Sequence, residues 1–557
     1  MTTEHSADGH AVLIAGAGPT GLTAACTLLQ QGVPVRVVDR RSGPATAPKA
    51  IVLWSGALEV LDRLEVAGPL TERALALAGA SYWSRGRRLA AVRFGGLPNT
   101  RFPGPVCAPQ PVTEELLYQR LLQLGGDVAW NTEVREVASG ADGVTVALAP
   151  RDGGEITAER ADWLIAADGM HSTVRGTLGD VAFEGATYGR DFLLGDVVLD
   201  AAGGSALPER EAQYHLTPDG VLVVVQLPGG GHRVFFDQAA GTRTDTPDLA
   251  ELQGLLDARG PGQWRIRDLW WSSRFQVHTK VASAFRSGRV FLAGDAAHVH
   301  SPAGGQGLNT GVQDGYDIGW KLAAVVRGAD AALLDSYQAE RRPTAVRAVA
   351  NADRQTKLWL VRNPLVRRLR DLLLGRLSRS GALERRLIPE LAQIDLDLSA
   401  SPAVVDAMDS APGADAAARP GRRLTDAVID AVHGTKAATL HGYVASGRHT
   451  VLVFDDGSAG DGPARAAEEA RARLDRALAD VLLVRAHRLG RPAPAAPGYD
   501  VAELAASENA RPAQAVYVRP DGMTGARVPV DGSAGIGAFL AGVPAAHAPS
   551  RDLPGTR

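Results

Sequence analysis

The sequence has 557 residues, 45% of them hydrophobic, and a nearly balanced charge of 59 Lys and Arg against 62 Asp and Glu. This composition predicts folded domains rather than a disordered chain, and the net charge of −3 gives no general attraction to nucleic acid or to anionic membranes. The two cysteines, Cys26 and Cys107, exclude a disulfide framework and a cysteine-rich metal site and fit a reducing, cytoplasmic location.

Residues 11–29 are uncharged and mostly apolar, so their length alone would allow a membrane span. Three glycines and a proline interrupt this run, and the residues before it lack the basic start of a signal peptide. We predict instead a buried strand at residues 11–15, a glycine turn and a helix at residues 22–31. A second apolar strand follows at residues 33–38, which completes a βαβ unit.

The turn of this unit carries the pattern GxGxxG. Gly16 permits a tight turn, Gly18 lets the backbone approach a pyrophosphate, and Gly21 lets the helix pack closely on the strand. Asp39 ends the second strand, 18 residues after Gly21, at about the spacing of an acid that binds a ribose. The unit therefore predicts dinucleotide binding, although these residues alone do not separate FAD from NAD.

Two further motifs follow predicted strands. DGxxSxVR begins at Asp168, and GDAAHxxxPxxGxGxN begins at Gly294 and leads into a helix predicted from about Leu308. With the glycine turn, these motifs resemble the FAD-dependent aromatic hydroxylases, the single-component flavoprotein monooxygenases similar to para-hydroxybenzoate and phenol hydroxylases. The resemblance covers about residues 10–345 well and implies FAD as cofactor and NADPH or NADH as reductant.

The resemblance also implies a set of cofactor-binding residues. Asp39 would hold the adenosine ribose with Arg40 beside it, and Gln110 would contact the flavin. Asp168 belongs to the motif used for both FAD and NADPH. The complete set is Gly16, Gly18, Gly21, Asp39, Arg40, Lys49, Gln110, Asp168, Gly294, Asp295, Pro302, Gly307, Leu308 and Asn309.

The third motif carries the implied contacts to the flavin ring. Asp295 would hydrogen bond to the ribityl chain, and Pro302 would lie near the ring face. Gly307, Leu308 and Asn309 would offer backbone N–H groups to the pyrimidine end. Reduced flavin is negatively charged there, and a helix N-terminus stabilises negative charge.

Two positions depart from the family pattern. Lys49-Ala50 stands where many members have Arg-Ala, and lysine cannot make the bidentate contact of arginine. Gly56 stands where an arginine is common. We therefore expect the flavin or NADPH to be held differently at this point.

Residues 181–285 contain strand-like runs separated by turns, which predict an antiparallel sheet. In the resembled family this sheet covers the substrate pocket. We expect most of its polar and aromatic side chains to pack or to face water, and we assign no catalytic residue. The general base stays open among His215, His232 and His278. The side chains considered in or beside the sheet are His215, Gln226, His232, Phe235, Trp270, Trp271, Arg274 and His278.

His298 and His300 lie two residues apart but inside the third motif, and no carboxylate or cysteine set accompanies them, so we predict no metal site. Residues 354–386 are rich in arginine and leucine, with Leu365, Leu369 and Leu372 on one helical face. A basic amphipathic helix can meet a membrane or nucleic acid. We favour instead a surface helix that packs on the flavin domain or on a second subunit, with arginine stems covering apolar surface.

The C-terminal region predicts a further α/β unit after a linker rich in Ala, Pro, Gly and Asp. It is similar to the thioredoxin-like domain of larger aromatic hydroxylases through the piece Arg519-Pro520-Asp521-Gly522. It has no CxxC pair, so we expect a structural or dimer-contact role rather than thiol chemistry.

The predicted fold class is therefore α/β, with a Rossmann-like FAD-binding domain interleaved with an antiparallel-sheet substrate domain and a C-terminal thioredoxin-like domain. The predicted boundaries are 1–180 and 286–399 for the FAD-binding domain with its helical region, 181–285 for the substrate domain, 400–422 for the linker and 423–557 for the C-terminal domain.

The predicted activity is an FAD-dependent monooxygenation that consumes NADPH or NADH. Through a flavin hydroperoxide, molecular oxygen would hydroxylate a phenolic or quinone substrate of polyketide type. Three alternatives stay open: Baeyer–Villiger oxygenation of a polycyclic polyketide on the same scaffold, catabolic hydroxylation of a simple phenol, and a non-catalytic FAD- or nucleotide-binding protein. We predict no nucleic-acid or membrane partner and leave a homodimer open.

Overall fold

The computed structural model describes residues 9–202, 206–241, 245–406, 416–487, 489, 498–530 and 535–543. Of the predicted linker, residues 407–415 lie outside these ranges. No helix in the described ranges is long and apolar enough to cross a membrane. The run at residues 11–29 instead forms a strand, a turn and a helix, as its glycines predict.

The strands of the first 300 residues are β1 (Gly9–Ala15), β2 (Val35–Val38), β3 (Val52–Leu53), β4 (Leu75–Ala76), β5 (Gly79–Ser84), β6 (Arg87–Arg93), β7 (Val106–Cys107), β8 (Val128–Ala129), β9 (Thr132–Ser139), β10 (Val144–Pro150), β11 (Thr157–Ala166), β12 (Phe183–Ala201), β13 (Glu211–Leu216), β14 (Val221–Gln226), β15 (His232–Ala239), β16 (Trp264–Ala282), β17 (Arg286–Ser287), β18 (Val290–Leu292) and β19 (His298–Val299). The strands beyond residue 400 are β20 (Val405–Asp406), β21 (Ile429–His433), β22 (His449–Asp455), β23 (Ala479–Arg485), β24 (Asp500–Leu504), β25 (Gln514–Val518) and β26 (Thr524–Pro529).

The α-helices are α1 (Pro19–Gln30), α2 (Ser55–Arg63), α3 (Ala67–Arg73), α4 (Gln110–Gln123), α5 (Thr173–Thr177), α6 (Leu249–Arg259), α7 (Gly307–Val326), α8 (Asp335–Trp359), α9 (Pro364–Arg379), α10 (Ala382–Ala392), α11 (Leu440–Val444), α12 (Gly462–Arg473) and α13 (Gly535–Ala541).

The first sheet has a parallel centre in the order β18-β11-β1-β2-β8. Strand β17 adds antiparallel at one edge, and β10 and β9 extend antiparallel from β11. Val12, Leu13 and Ile14 of β1 are fully buried, as expected for an apolar strand covered on both faces. The carboxyl ends of the parallel strands lead into the glycine turn, Asp39, Asp168 and Gly294, so three separated motifs meet at one edge.

The second sheet has the order β19-β16-β12-β15-β14-β13-β5-β6 and is antiparallel except between β13 and β5. Its centre is the long pair of β12 and β16. The predicted antiparallel sheet is therefore present, although β5, β6 and β19 join it from outside residues 181–285. Two apolar clusters pack against this sheet, one of which includes Phe192, Val223 and Phe235.

Helix α7 is held by close contacts along its length. Gly311, Gly315 and Gly319 recur every four residues and face α1. A Cβ on Gly315 would lie 2.3 Å from the Thr20 carbonyl oxygen, and one on Gly311 would lie 2.5 Å from Thr20 Oγ1. Only glycine therefore allows the two helices to approach this closely.

The third sheet has the order β20-β26-β25-β22-β23-β24-β21, with β22, β23 and β24 parallel to one another. Helix α12 connects β22 to β23 and packs on both. This arrangement agrees with the predicted α/β unit. Its assignment to the thioredoxin class and the exact domain boundaries stay predictions.

A buried group of charges, the Arg519 ion cluster, joins this third sheet to α7 and α8. It consists of Asp317, Lys321, Glu340, Arg519 and Asp521. Arg519 donates to both Glu340 oxygens at 2.8 Å, and Lys321 Nζ lies 2.7 Å from Glu340 and 2.8 Å from Asp317. Arg519 also pairs with Asp521. The three carboxylates are close enough together to hold a metal ion, but Lys321 and Arg519 already bind them.

Candidate active site

A cavity of about 780 Å³ is lined by residues of both the parallel sheet and the large antiparallel sheet. Eleven of the fourteen predicted cofactor residues line it. The other three, Gly21, Gly294 and Asn309, support its wall from behind. The structure therefore brings together residues that lie up to about 290 positions apart in the chain.

The glycine turn has the geometry that its sequence predicts. Gly16 has a φ of +102°, and a Cβ there would lie 2.3 Å from the Ala167 carbonyl oxygen. A Cβ on Gly21 would lie 1.9 Å from the Gly16 carbonyl oxygen. Gly18 has nothing within 4 Å of a Cβ position, so it leaves open backbone beside the N-terminus of α1. This open backbone fits the approach of a pyrophosphate.

Asp39 is buried at the end of β2, and its two carboxylate oxygens accept four hydrogen bonds. The Ala17 and Arg41 backbone N–H groups donate at 2.7 Å, and the Arg41 guanidinium donates twice at 3.1 Å. Arg41 also pairs with Glu114 at 2.9 Å. A carboxylate has about four lone-pair sites, so a ribose hydroxyl would have to take the place of an Arg41 donor. Sequence reasoning named Arg40, which lines the cavity, and missed Arg41.

Lys49 and Gln110 lie on the same wall. The Gln110 amide donates to Glu114 at 2.7 Å and accepts from the Ala50 N–H at 3.3 Å, so it orders the chain beside the cavity. Arg233 donates to the Lys49 carbonyl at 2.5 Å and pairs with Asp196. The Lys49 ammonium has no hydrogen-bond or ion-pair partner within the described part of the chain, which leaves a cation on the cavity wall.

Two carboxylates on the wall keep acceptor atoms without a donor. Asp168 Oδ2 accepts from the Val174 N–H at 3.1 Å, but Oδ1 is buried and has no hydrogen bond to any described residue. Asp295 makes no hydrogen bond to the residues described. Burial raises the pKa of Asp168, and desolvation by the surrounding residues raises the pKa of Asp295, where the nearby His298 and Lys49 oppose this rise. Both carboxylates fit hydroxyl groups of a ribose or ribityl chain.

The N-terminus of α7 lies at the same wall. The first-turn N–H groups of Gly307, Leu308 and Asn309 have no carbonyl partner inside the helix. Asn309 fixes this end of the helix, because its side-chain amide accepts from the backbone N–H of Trp54 at 2.7 Å and donates to the Gly305 carbonyl at 2.6 Å. These amides and the positive end of the helix dipole suit the anionic end of a reduced flavin.

Gly56, the second departure from the family pattern, has a steric cause. A Cβ there would lie 2.9 Å from the Ala392 carbonyl oxygen and 3.0 Å from Gln313 Nε2. An arginine side chain does not fit between α2 and the end of α10. The indole N–H of Trp54, two residues earlier, donates to the Gly304 carbonyl at 2.9 Å and holds the glycine-rich loop instead. No sequence pattern predicts the steric restriction at Gly56 or the hydrogen bond between Trp54 and Gly304.

A large part of the remaining cavity wall is apolar and aromatic. The apolar and aromatic members of this wall come from the antiparallel sheet, from residues that flank β5 and β6, and from α8 and α10. They are Leu77, Ala80, Tyr82, Val92, Phe94, Leu194, Ala212, Tyr214, Val223, Val225, Phe235, Trp271, Phe275, Trp359, Leu387 and Leu391. Such a wall excludes water and accepts a large apolar ring system.

Tyr82 and Tyr214 supply polar groups on this wall. They are neighbours across β5 and β13, and their rings stack with centroids 4.9 Å apart. Neither hydroxyl has a hydrogen-bond partner among the described residues. Burial raises the pKa of Tyr214 to about 12 and that of Tyr82 further still. Both therefore stay protonated and can donate to a ligand oxygen.

None of the three histidines considered as the general base lines the cavity. His215 stacks on Trp83, and His232 hydrogen bonds to the Pro208 carbonyl. His278 bonds to Thr187, the residue paired with it on the neighbouring strand β12. Of the other candidates from the sheet, Phe235 and Trp271 line the cavity, whereas Gln226, Trp270 and Arg274 do not.

The two histidines of the third motif have different surroundings. His298 is buried and bonds to Asp314 at 2.7 Å. His300 lines the cavity. Its Nδ1 lies 2.8 Å from the Ser301 carbonyl oxygen, and its Nε2 has no partner in the part of the chain that the structure describes. Burial lowers the pKa of His300 to about 4, so this side chain is neutral at pH 7.

The family model described as FAD binding domain matches residues 10–352 of this chain. The chain is 36% identical over 467 residues to 6-methylpretetramide 4-monooxygenase of Streptomyces rimosus, covering 82% of this chain and 81% of that protein.

Among solved structures, it is similar to OxyS anhydrotetracycline hydroxylase of Streptomyces rimosus, with a TM-score of 0.73, 28% identity and coverage of 96% of this chain and 98% of that one. It is also similar to the flavin-dependent monooxygenase PieE, solved with FAD and substrate, with a TM-score of 0.77, 26% identity and coverage of 96% and 99%.

Proposed function

Because this chain belongs to the FAD-binding-domain family and is an FAD-dependent monooxygenase, we propose that it hydroxylates a polycyclic phenol or quinone of polyketide type. NADPH or NADH serves as reductant and molecular oxygen as oxidant. The observation that carries the substrate class is the wide aromatic and aliphatic wall, which continues from the predicted cofactor residues within one cavity. The names of two relatives support the same class, since one is a 6-methylpretetramide 4-monooxygenase and the other an anhydrotetracycline hydroxylase.

We also propose that the fourteen predicted residues form the FAD site, eleven of them on the cavity wall and Gly21, Gly294 and Asn309 directly behind it. Open backbone at Gly18, the free acceptors of Asp168 and Asp295, and the unpaired amides at the start of α7 support this assignment. When bound, FAD supplies the redox chemistry, by accepting hydride from the nicotinamide and activating oxygen. The first turn of α7 stabilises the negative charge of the reduced cofactor, and the Lys49 ammonium adds to this field.

Tyr82 and Tyr214 orient the substrate. Two protonated hydroxyls beside an apolar wall donate to a ketone, quinone or phenolate oxygen of the ring system. Such donors are strengthened because the wall excludes water. Trp359 packs against Tyr214, with the two ring centroids 5.2 Å apart, and limits the movement of the tyrosine ring. The neutral His300 offers an acceptor atom on the same cavity wall.

The reaction is tested with the purified protein. We expect a yellow protein that oxidises NADPH faster when a polycyclic phenol is added, and a product with one atom from labelled oxygen on a ring carbon, detected by mass spectrometry. A lactone product would replace hydroxylation by Baeyer–Villiger oxygenation. A colourless protein that cannot be loaded with FAD would refute the proposal.

Substrate orientation is tested with Tyr82→Phe and Tyr214→Phe. Each variant loses one hydrogen bond, so we expect substrate affinity to fall by about threefold to tenfold at unchanged FAD content. Tyr118→Phe is the matched control, because its hydroxyl bonds to Asp127 outside the cavity. Unchanged affinity in both cavity variants would contradict the assigned role.

A further inference from the structure

Helix α9 presents six apolar side chains to solvent. Their exposed fractions range from 44% at Leu377 to 71% at Leu365. We call this row the leucine stripe: Leu365, Val366, Leu369, Leu372, Leu373 and Leu377. The leucine face of this helix is therefore not covered by the described part of the chain, and the predicted packing on a second subunit stays a prediction. A contiguous apolar row of this kind marks an interaction surface.

The opposite face of α9 is anchored, so the helix cannot rotate to bury the stripe. Ser378 Oγ donates to the Ala91 carbonyl at 2.9 Å and accepts from the Ala91 N–H at 3.1 Å. Ser84 donates to Asp371 at 2.9 Å, and Arg370 donates to the Leu358 carbonyl at 3.2 Å. These polar contacts to β5, β6 and α8 fix which face points outwards.

The charges around the stripe are positive and unpaired. Arg368, Arg376 and Arg379 of α9 and Arg386 of α10 are exposed and have no acidic partner in the described ranges. The acidic residues of the two helices are already engaged, for example Asp371 by Arg370 at 2.8 Å. A second copy of the chain would bring like charges together at this face, whereas an anionic partner would neutralise them.

We propose that α9 docks on an anionic phospholipid surface, with the leucine stripe in the headgroup and acyl boundary and the arginines on the lipid phosphates. An apolar face flanked by arginines is the pattern of helices that lie in a membrane interface. The whole chain has a net charge of −3 and is not attracted to an anionic surface, so the attraction comes from the arginines around α9 alone. The helix lies on the surface and does not span the bilayer.

Helix α9, through which the chain would contact the phospholipid surface, lies close to the cavity. Helix α10 packs against α9 and contributes Leu387 and Leu391 to the apolar cavity wall. If the substrate is the apolar ring system named in the proposed function, docking places the cavity beside the phase in which that substrate collects. The docking itself does not depend on the reaction.

Flotation of the purified holoenzyme with vesicles tests the docking without any substrate. We expect binding to phosphatidylcholine vesicles that contain phosphatidylglycerol, weaker binding to phosphatidylcholine alone, and loss of binding at high salt. Leu369→Ser with Leu373→Ser should weaken binding about tenfold or more. Removing arginines, as in Arg368→Gln and Arg376→Gln, should weaken it about fivefold for each charge.

The matched control is Leu122→Ser on α4, because Leu122 is 47% exposed and Leu373 is 48% exposed. It should bind vesicles like the unaltered chain, and all variants should keep their FAD content. Absent binding, or equal binding by the stripe variants and the control, would overturn the proposal. A dimer that dissociates on Leu369→Ser with Leu373→Ser, measured by light scattering, would overturn it in favour of a second copy.

Discussion

Replacing Arg519 by methionine tests whether the Arg519 ion cluster fastens the C-terminal sheet to α7. Arg519 is only 1% exposed and donates to both Glu340 oxygens at 2.8 Å. Burial raises the pKa of Glu340, but Arg519 and Lys321 together hold this pKa well below its usual range. These two cations therefore keep the buried Glu340 carboxylate ionised. Removing one partner of such a buried pair destabilises by about 3–5 kcal/mol. For a unit of this size that corresponds to a fall in its unfolding midpoint on the order of 10 °C.

Differential scanning calorimetry and tryptophan fluorescence report this change, because the Trp320 ring lies 5.1 Å from the Arg519 guanidinium. Arg465→Met is the control, since Arg465 is exposed on α12 in the same unit. The pair Arg519→Met with Glu340→Gln should lose less stability than the sum of the two single changes, because the residues interact directly. If Arg519→Met unfolds at the midpoint of the control, the cluster does not stabilise this contact.

Three further outcomes are expected. Gly56→Arg should give protein with lowered stability and little bound FAD, seen by circular dichroism and flavin absorbance, whereas normal FAD content would show that α2 can shift. Trp54→Phe removes one hydrogen bond to Gly304, so FAD should dissociate about threefold to tenfold faster in a fluorescence assay, and an unchanged rate would assign the loop's position to other contacts. Burial, with Arg519 nearby, lowers the pKa of His449 from 6.5 to about 3. The folded state therefore resists protonation, and stability should be full above pH 6.5 and fall as the pH drops towards 3. His449→Gln should flatten this part of the urea-unfolding profile, and an equally steep profile would exclude His449 as its source.

The parts of the site that sequence predicts are those fixed by local backbone geometry. Gly16 is required by its own φ and by the nearby Ala167 carbonyl, so the motif itself carries the structure. The spacing of the three motifs after parallel strands then brings their residues to one edge. This logic places most of the predicted cofactor residues on one cavity without any knowledge of side-chain contacts.

The contacts that sequence does not predict depend on side chains from distant segments. Arg233 holds the carbonyl of Lys49 from 184 positions away. The Arg41 guanidinium donates two hydrogen bonds to the Asp39 carboxylate, and no sequence pattern predicts this side-chain conformation. The leucine periodicity of α9 correctly gives an apolar face, but the hydrogen bonds of Ser378 and Asp371 decide that this face points to solvent.

Helix α7 belongs to two parts of the molecule at once, and this limits how the parts can be exchanged. Its first turn lines the cavity, while Tyr316 donates to the Pro520 carbonyl at 3.1 Å and Asp317 and Lys321 belong to the Arg519 ion cluster. A chimaera that joins a relative's C-terminal region at the linker would leave these side chains against a foreign surface. We expect functional chimaeras to need the donor's residues at positions 316–321 as well. The C-terminal region therefore has to be exchanged together with the α7 residues that contact it, although these lie far apart in the sequence.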